Sequence, residues 1–320
     1  MEKLGTRDIY GQTLVKLGSE NRDIVVLDAD LSSSTRTSKF KEKFPERFFN
    51  MGVAEQDMMG TAAGLAAVGK IPFASTFAIF STGRAWEQVR QAICLSKFNV
   101  KIVASHGGIT VGEDGATHQS LEDIGLMKII PNMTVIVPAD GHEAAAALEF
   151  AVRYSGPVYI RLSREKFPVL YHEGIDFQIG KARVHSEGTD VNIIACGMMV
   201  SFALNAAESL RQEGLNVGVI NMSSIKPIDK EAIKSAAKKS GAIVTAEEHS
   251  IIGGLGSAVA EYLGEEEPAY IERIGTKDRF GASGKVEDLL REYNLTREDI
   301  ILAAKKVIAK KAGRLILPIE

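Results

Sequence analysis

A chain of 320 residues with 45% hydrophobic and 25% charged content has room for two globular domains of ordinary size. Its net charge of −3 gives no general attraction to nucleic acid or to an anionic membrane, and no apolar run approaches the roughly 20 residues that span a bilayer. Cys94 and Cys196 stand far apart in apolar surroundings with no metal-ligand spacing, and MEKLGTRDIYG lacks the apolar centre of a secretory signal, so a reduced, cytoplasmic protein is expected.

Residues 6–17 place Ile9, Leu14 and Leu17 near helical spacing. After the turn Asn21-Arg22-Asp23, residues 24–27 read as a strand that runs into Asp28-Ala29-Asp30 and a polar loop, Ser32 to Thr35. Residues 39–47 are charged and predicted to be surface, and 48–51 form a brief extended piece. The spacing predicts a buried helix over 53–68, whose Gly60, Ala62, Ala63, Gly64, Ala66 and Ala67 allow close contact with another helix or subunit. Strands are predicted at 71–76, 100–104, 134–137 and 157–162, with helices at 86–96, 121–128 and 143–154 between them. Residues 165–187 lose this periodicity, and the boundaries expected are a first domain over 1–172, a linker over 173–188 and a second domain over 189–320. Strands at 191–195, 216–221, 242–246 and 269–274 then alternate with helices at 201–213, 230–240, 253–263, 285–293 and 296–310. Thr296-Arg297-Glu298-Asp299 has the form of a capped helix start. Strands alternating with helices imply two consecutive α/β domains with parallel sheets.

The stretch from His106 to His118, HGGITVGEDGATH, follows a predicted strand, and chemistry at a parallel sheet gathers at the carboxyl ends of strands. His106, Asp114 and His118 could be loop residues satisfied by hydrogen bonds or metal ligands, although no HxH or HxxxH spacing is present. Proton transfer or hydrogen bonding to a polyhydroxy substrate suits them better, because imidazole both donates and accepts near neutrality. Glu55 opens an apolar helix, where a carboxylate either complements the helix dipole or faces a buried ligand nitrogen. Phe77 and Phe80 follow a strand and are either core or a stacking platform for a flat ring. Arg7, Ser34 and Arg164 lie near element ends on the same side, and arginine forks match phosphate. Gly253-Gly254-Leu255-Gly256-Ser257 lacks the third glycine of a dinucleotide loop and reads as a tight turn into a helix.

GVAEQDMMG, STFAIF, HGGITVGEDGATHQ, PAD, RLSR and RFGASGK occur in this order, and together they resemble the carboxyl-terminal half of transketolase over nearly the whole chain. The resemblance implies a pyrimidine-binding domain followed by the transketolase carboxyl-terminal domain. It also implies thiamine diphosphate as cofactor and transfer of a two-carbon ketol unit between sugar phosphates. Glu55 matches the glutamate that hydrogen-bonds the aminopyrimidine, and Phe77 and Phe80 match the aromatic positions that hold it. A third family aromatic is Gly83 here, and Asp30 and Leu31 match an Asp-Leu pair near the cofactor. His106 matches a contact to the donor hydroxyls, Asp114 the reader of configuration beside the carbonyl, and His118 a group near the acceptor or its phosphate end. These separations, eight and twelve positions from His106, agree with the family. The catalytic set implied is Glu55, His106 and His118, and Arg7, Ser34 and Arg164 match phosphate contacts.

The GDG-to-Asn motif that holds Mg²⁺ and the diphosphate is missing, and GEDG at 112–115 belongs to the substrate motif. A split enzyme is therefore expected. An amino-terminal partner subunit would carry Mg²⁺ and the diphosphate, no metal would be bound by this chain's own residues, and the assembly would be a heterotetramer around a homodimer core. Related readings fit less well. In 1-deoxyxylulose-5-phosphate synthase Asp-Arg usually opens the central loop where Ser105-His106 stands here, and a 2-oxoacid dehydrogenase β subunit lacks GEDGATHQ. A non-catalytic structural subunit would have no need of Glu55, His106, Asp114 and His118 together.

Overall fold

The computed structural model describes residues 2–313. Its strands, in chain order, are β1 (Lys3–Gly5), β2 (Ile24–Asp28), β3 (Phe48–Asn50), β4 (Ile71–Ser75), β5 (Lys101–Ala104), β6 (Thr134–Ile136), β7 (Val158–Arg161) and β8 (Lys166–Pro168). They continue as β9 (Arg183–Ser186), β10 (Val191–Ala195), β11 (Val217–Asn221), β12 (Ser224–Lys226), β13 (Ala242–Ser250) and β14 (Tyr270–Thr276). One sheet has the order β12-β6-β7-β5-β4-β2-β3 and a second β14-β13-β10-β11-β9. Every pairing in them is parallel except β12 on β6 and β9 on β11. β1 and β8 form a separate antiparallel ribbon.

The buried strands explain why this arrangement is parallel. β2 (IVVLD) and β10 (VNIIA) are buried at every position, which requires helices on both faces of the sheet. Helices supply that cover, including Thr6–Glu20 and the crossover helices Gly141–Arg153 and Met199–Gln212. Two consecutive, mainly parallel α/β units are the result, as the alternation implies.

Several elements differ from the sequence expectation, each for a physical reason. β9 lies inside the stretch read as linker; its side chains are mostly exposed, so an edge strand here leaves no hydrophobic period. β12 comes from beyond the second unit's β11 yet extends the first sheet, and a three-residue strand is too short to show a pattern. The helix expected over 53–68 spans Glu55–Ala67 and is only half buried: Met58, Met59, Ala62 and Ala63 face the core, whereas Gly60 and Gly64 face open space. The helix expected over 86–96 is a short turn, Trp86–Gln88, followed by π-helical turns over Val89–Cys94, and a further π turn spans Phe80–Arg84. The capped start at Thr296 forms as read, with a reciprocal box between Thr296 and Asp299. Both cysteines are buried and free.

The neighbours β7-β5-β4-β2 all run parallel, so the chain leaves Arg161, Ala104, Ser75 and Asp28 at one edge of the sheet. The segments that follow carry Arg164, His106, Phe77 and Ser34. The strand order, rather than any local motif, brings these residues together.

Candidate active site

Six of the residues singled out from the sequence meet in one pocket. Arg7, Ser34, Phe77, His106, Asp114 and Arg164 line it, together with Ser33 and Arg36. Arg7, on the first turn of the helix Thr6–Glu20, donates from Nη1 to the Ser34 carbonyl at 3.1 Å. Its Nε is buried with no hydrogen-bond partner among the described residues. Burial pushes the Arg7 guanidinium below its usual pKa, and the positive charges of Arg36 and Arg164 add to that. Arg164 donates to the Val111 carbonyl and lies 3.7 Å from the Asp114 carboxylate. Asp114 itself is exposed, at the end of the short 3-10 turn Ile109–Asp114.

His106 is buried, in the left-handed backbone region at φ 61°. Its Nδ1 is 2.8 Å from the Ser105 hydroxyl, and its ring stacks on Phe77 with centroids 3.7 Å apart. Burial, reinforced by the charges of Arg7 and Arg164, lowers its pKa to about 3, so the ring is neutral at physiological pH. A neutral imidazole here can donate or accept a hydrogen bond and carries no charge toward an anion.

Phe77 links this pocket to a second cluster. Its ring is nearly parallel to that of Phe80, 6.0 Å away, and His118 stands edge-on to both. Beyond Phe80 the Arg84 guanidinium lies over the ring at 4.9 Å and binds both carboxylate oxygens of the buried Glu55. Asp30 and Leu31 sit apart from the pocket lining: Asp30 is exposed and paired with Asn50, and the Leu31 amide donates to Asp28. Sequence reasoning missed Arg36 and Arg84. The available signals were a basic residue two positions after Ser34 and another one helical turn beyond Phe80.

The second domain braces the central loop from behind. Glu248 accepts from the Thr110 amide at 2.7 Å, and Gln119 donates to the Ala282 carbonyl at 2.9 Å. A Cβ at Gly281 would fall 1.7 Å from Gln119 Oε1, so GATHQ and RFGASGK are packed against each other. The Gly253–Ser257 turn holds no space for a phosphate, because Glu247 accepts from the Leu255 and Gly256 amides, both at 2.7 Å.

Comparison with known proteins gives the family. Residues 2–169 match the transketolase pyrimidine-binding domain and residues 180–300 the transketolase C-terminal domain. The chain belongs to the transketolase family. A solved split-gene transketolase, an inactive β4 tetramer, is 52% identical, superposes with a TM-score of 0.90, and is matched over 96% of this chain and 99% of its own. A 6-deoxy-6-sulfo-D-fructose transketolase subunit of a Clostridium species is 43% identical over 98% of both chains. Human transketolase is 37% identical over 97% of this chain, which spans 50% of the human protein. Transketolases are thiamine-diphosphate-dependent enzymes, and this member resembles split-gene subunits over nearly its whole length.

Proposed function

We propose that this chain is the carboxyl-terminal subunit of a split transketolase that moves a two-carbon ketol unit between ketose and aldose phosphates. The observation that carries the reading is one continuous row of groups. Arg84 joins the buried Glu55 carboxylate to the Phe80 face, Phe80 lies parallel to Phe77, and Phe77 leads through His106 to an arginine-rich pocket.

The residues present fit the pyrimidine half of thiamine diphosphate. A buried acceptor and an aromatic face that share Arg84 suit a flat, nitrogen-bearing ring, and Glu55, Phe77 and Phe80 would hold it, with Asp30 and Leu31 matching a family pair near the cofactor. When bound, thiamine diphosphate supplies a stabilised carbon nucleophile for cleaving and forming carbon–carbon bonds beside a carbonyl. Glu55 would accept a hydrogen bond from a ring nitrogen. Neutral His106 would hydrogen-bond donor hydroxyls, and Asp114 would accept from the hydroxyl next to the carbonyl. His118, edge-on to both phenylalanines, would serve the acceptor side, and Arg7, Ser34 and Arg164 would hold the phosphate.

No group of three or more metal-ligating side chains is clustered among the described residues. A diphosphate needs a divalent cation to offset its charge. We therefore assign Mg²⁺ and the diphosphate to an amino-terminal partner subunit, in a heterotetramer built on a homodimer of this chain. The split-gene relative solved as an inactive β4 tetramer supports that reading. Phosphorylated sugars are the substrates we favour, and a 6-deoxy-6-sulfo-D-fructose transketolase subunit among the relatives marks one variation.

The test is reconstitution. The isolated chain should show little or no ketol transfer, and adding an amino-terminal subunit should restore transfer across a sugar-phosphate panel. Full activity of the chain alone, or pyruvate decarboxylation in place of ketol transfer, would overturn the assignment. In the reconstituted pair Glu55→Gln should slow exchange of the thiazolium proton, and Asp114→Ala should weaken discrimination between donor epimers.

A further inference from the structure

We propose that Arg36 reads the charge on the substrate's far end and sets the site's preference for a dianionic terminus, a phosphate monoester. The inference rests on the transketolase reading above and deepens it. Arg36 is not among the phosphate contacts that the resemblance implies, which are Arg7, Ser34 and Arg164.

The fold holds Arg36 in an unfavourable conformation. Its backbone is left-handed, φ 71°, immediately after the short helix Ser32–Thr35. A residue with a long side chain adopts that region only at a cost, and keeps it where the surroundings over-determine it. They do so here. The Thr35 and Thr37 hydroxyls both donate to Asp28 Oδ2, at 2.7 and 2.8 Å, at the buried end of β2. From the other side the helix Thr6–Glu20 approaches at Gly11, where a Cβ would lie 2.7 Å from both the Arg36 Cβ and its carbonyl oxygen. Only glycine admits the turn so close to that helix.

The outcome is a third guanidinium on the pocket that already has Arg7 and Arg164. Arg36 donates from Nε to Asp8 at 2.7 Å and from Nη1 to the Ser33 carbonyl at 2.9 Å, while Nη2 makes no hydrogen bond among the described residues. Asp8 pairs with Arg36, and Asp114 lies by Arg164, but Arg7 has no carboxylate within ion-pair distance among the described residues. His106 is held neutral, so the guanidiniums alone meet an anion. A phosphate monoester carries about two negative charges near neutral pH, and several forks can share its oxygens. A neutral hydroxymethyl end offers them nothing.

The experiment compares ribose 5-phosphate with ribose as acceptors for the reconstituted two-subunit enzyme. Arg36→Met should raise KM for ribose 5-phosphate roughly 10- to 100-fold, the loss of one charge-assisted contact, with kcat and the ribose reaction moving by less than about twofold. Arg36→Lys should recover part of the loss, and Asp8→Asn, which frees Arg36 from its ion pair, should lower KM for the phosphorylated acceptor. A merely structural role would degrade both acceptors alike, and that result, or no change, overturns the proposal. A second readout needs no catalysis: ribose 5-phosphate binding to the isolated chain, followed by phosphorus NMR, should weaken at least about tenfold in Arg36→Met. Arg36-dependent binding without ketol transfer in any wild-type pair would overturn the transketolase reading and keep the anion reading. Transfer with Arg36-independent binding would do the reverse.

Discussion

One nitrogen of Arg84, Nη1, lies 3.1 and 3.0 Å from the two carboxylate oxygens of Glu55. The carboxylate is 1% exposed and the arginine side chain 50% exposed, so a surface cation reaches inward to a buried anion. The same guanidinium covers Phe80. In the single chain one side chain therefore touches Glu55 and Phe80, two of the three groups proposed to hold the pyrimidine, and a ring stacking on Phe80 requires Arg84 to shift. A double-mutant cycle of Glu55→Gln and Arg84→Met, read by urea denaturation, should give a coupling of about 1 kcal/mol, kept modest by solvent on the arginine side. Strict additivity would mean the pair contributes nothing to stability.

Gly108→Ala should be among the most damaging small substitutions in the chain. Gly108 has φ 92°, and a Cβ there would fall 2.2 Å from Glu248 Oε1, which the Thr110 amide holds at 2.7 Å. Backbone strain and the clash together should cost about 2–4 kcal/mol by urea denaturation. Glu248→Ala should recover part of that loss in the double variant, because it removes the obstructing carboxylate. If both losses simply add, the contact is not the cause.

Arg161→Met tests the buried brace beneath the loop. Arg161 donates to Asp123 at 2.9 Å and to the Glu248 carbonyl at 2.8 Å, and the Tyr159 hydroxyl donates to the same Asp123 oxygen at 2.6 Å. Burial alone would lower the Arg161 pKa, but the Asp123 and Glu248 carboxylates outweigh it and keep the guanidinium charged. Removing it strands Asp123, which is fully buried, and should cost about 3–5 kcal/mol in equilibrium unfolding. A loss below about 1 kcal/mol would show that Asp123 does not depend on this cation.

Lys101 should make stability rise with pH. It is fully buried and donates to the Tyr154 and Gly156 carbonyls at 2.7 and 2.8 Å, and burial lowers its pKa from 10.5 to about 7. Between those values the unfolded chain holds the proton and the folded chain does not, so ΔG of unfolding increases with pH. The neutral amine keeps two N–H groups, enough for both carbonyls. Unfolding compared at pH 7 and 9.5 should show a gain on the order of 3 kcal/mol in the wild type that Lys101→Met lacks. Equal slopes in the two proteins would refute it.

Amino-acid order by itself determined the alternation of strands and helices, because short runs such as the fully apolar 24–27 and the nearly apolar 191–195 fit the interior of a parallel sheet covered on both faces. It also marked Arg7, Ser34, Phe77, His106, Asp114 and Arg164, which match site positions of the family, and these six line one pocket. Weakly patterned pieces were illegible: β9 is mostly exposed, and β12 is three residues long. Arg36 and Arg84 escaped notice because a lone arginine on a loop or turn reads as surface. Only the tertiary structure decided their place, through a left-handed turn pressed against Gly11 and a π-helical turn that aims Arg84 at Glu55. It alone also set the stretch from His106 to His118 against Glu248 and the 279–285 segment of the second domain. Those contacts depend on strand order and domain packing, which act between residues more than a hundred positions apart and leave no local periodicity.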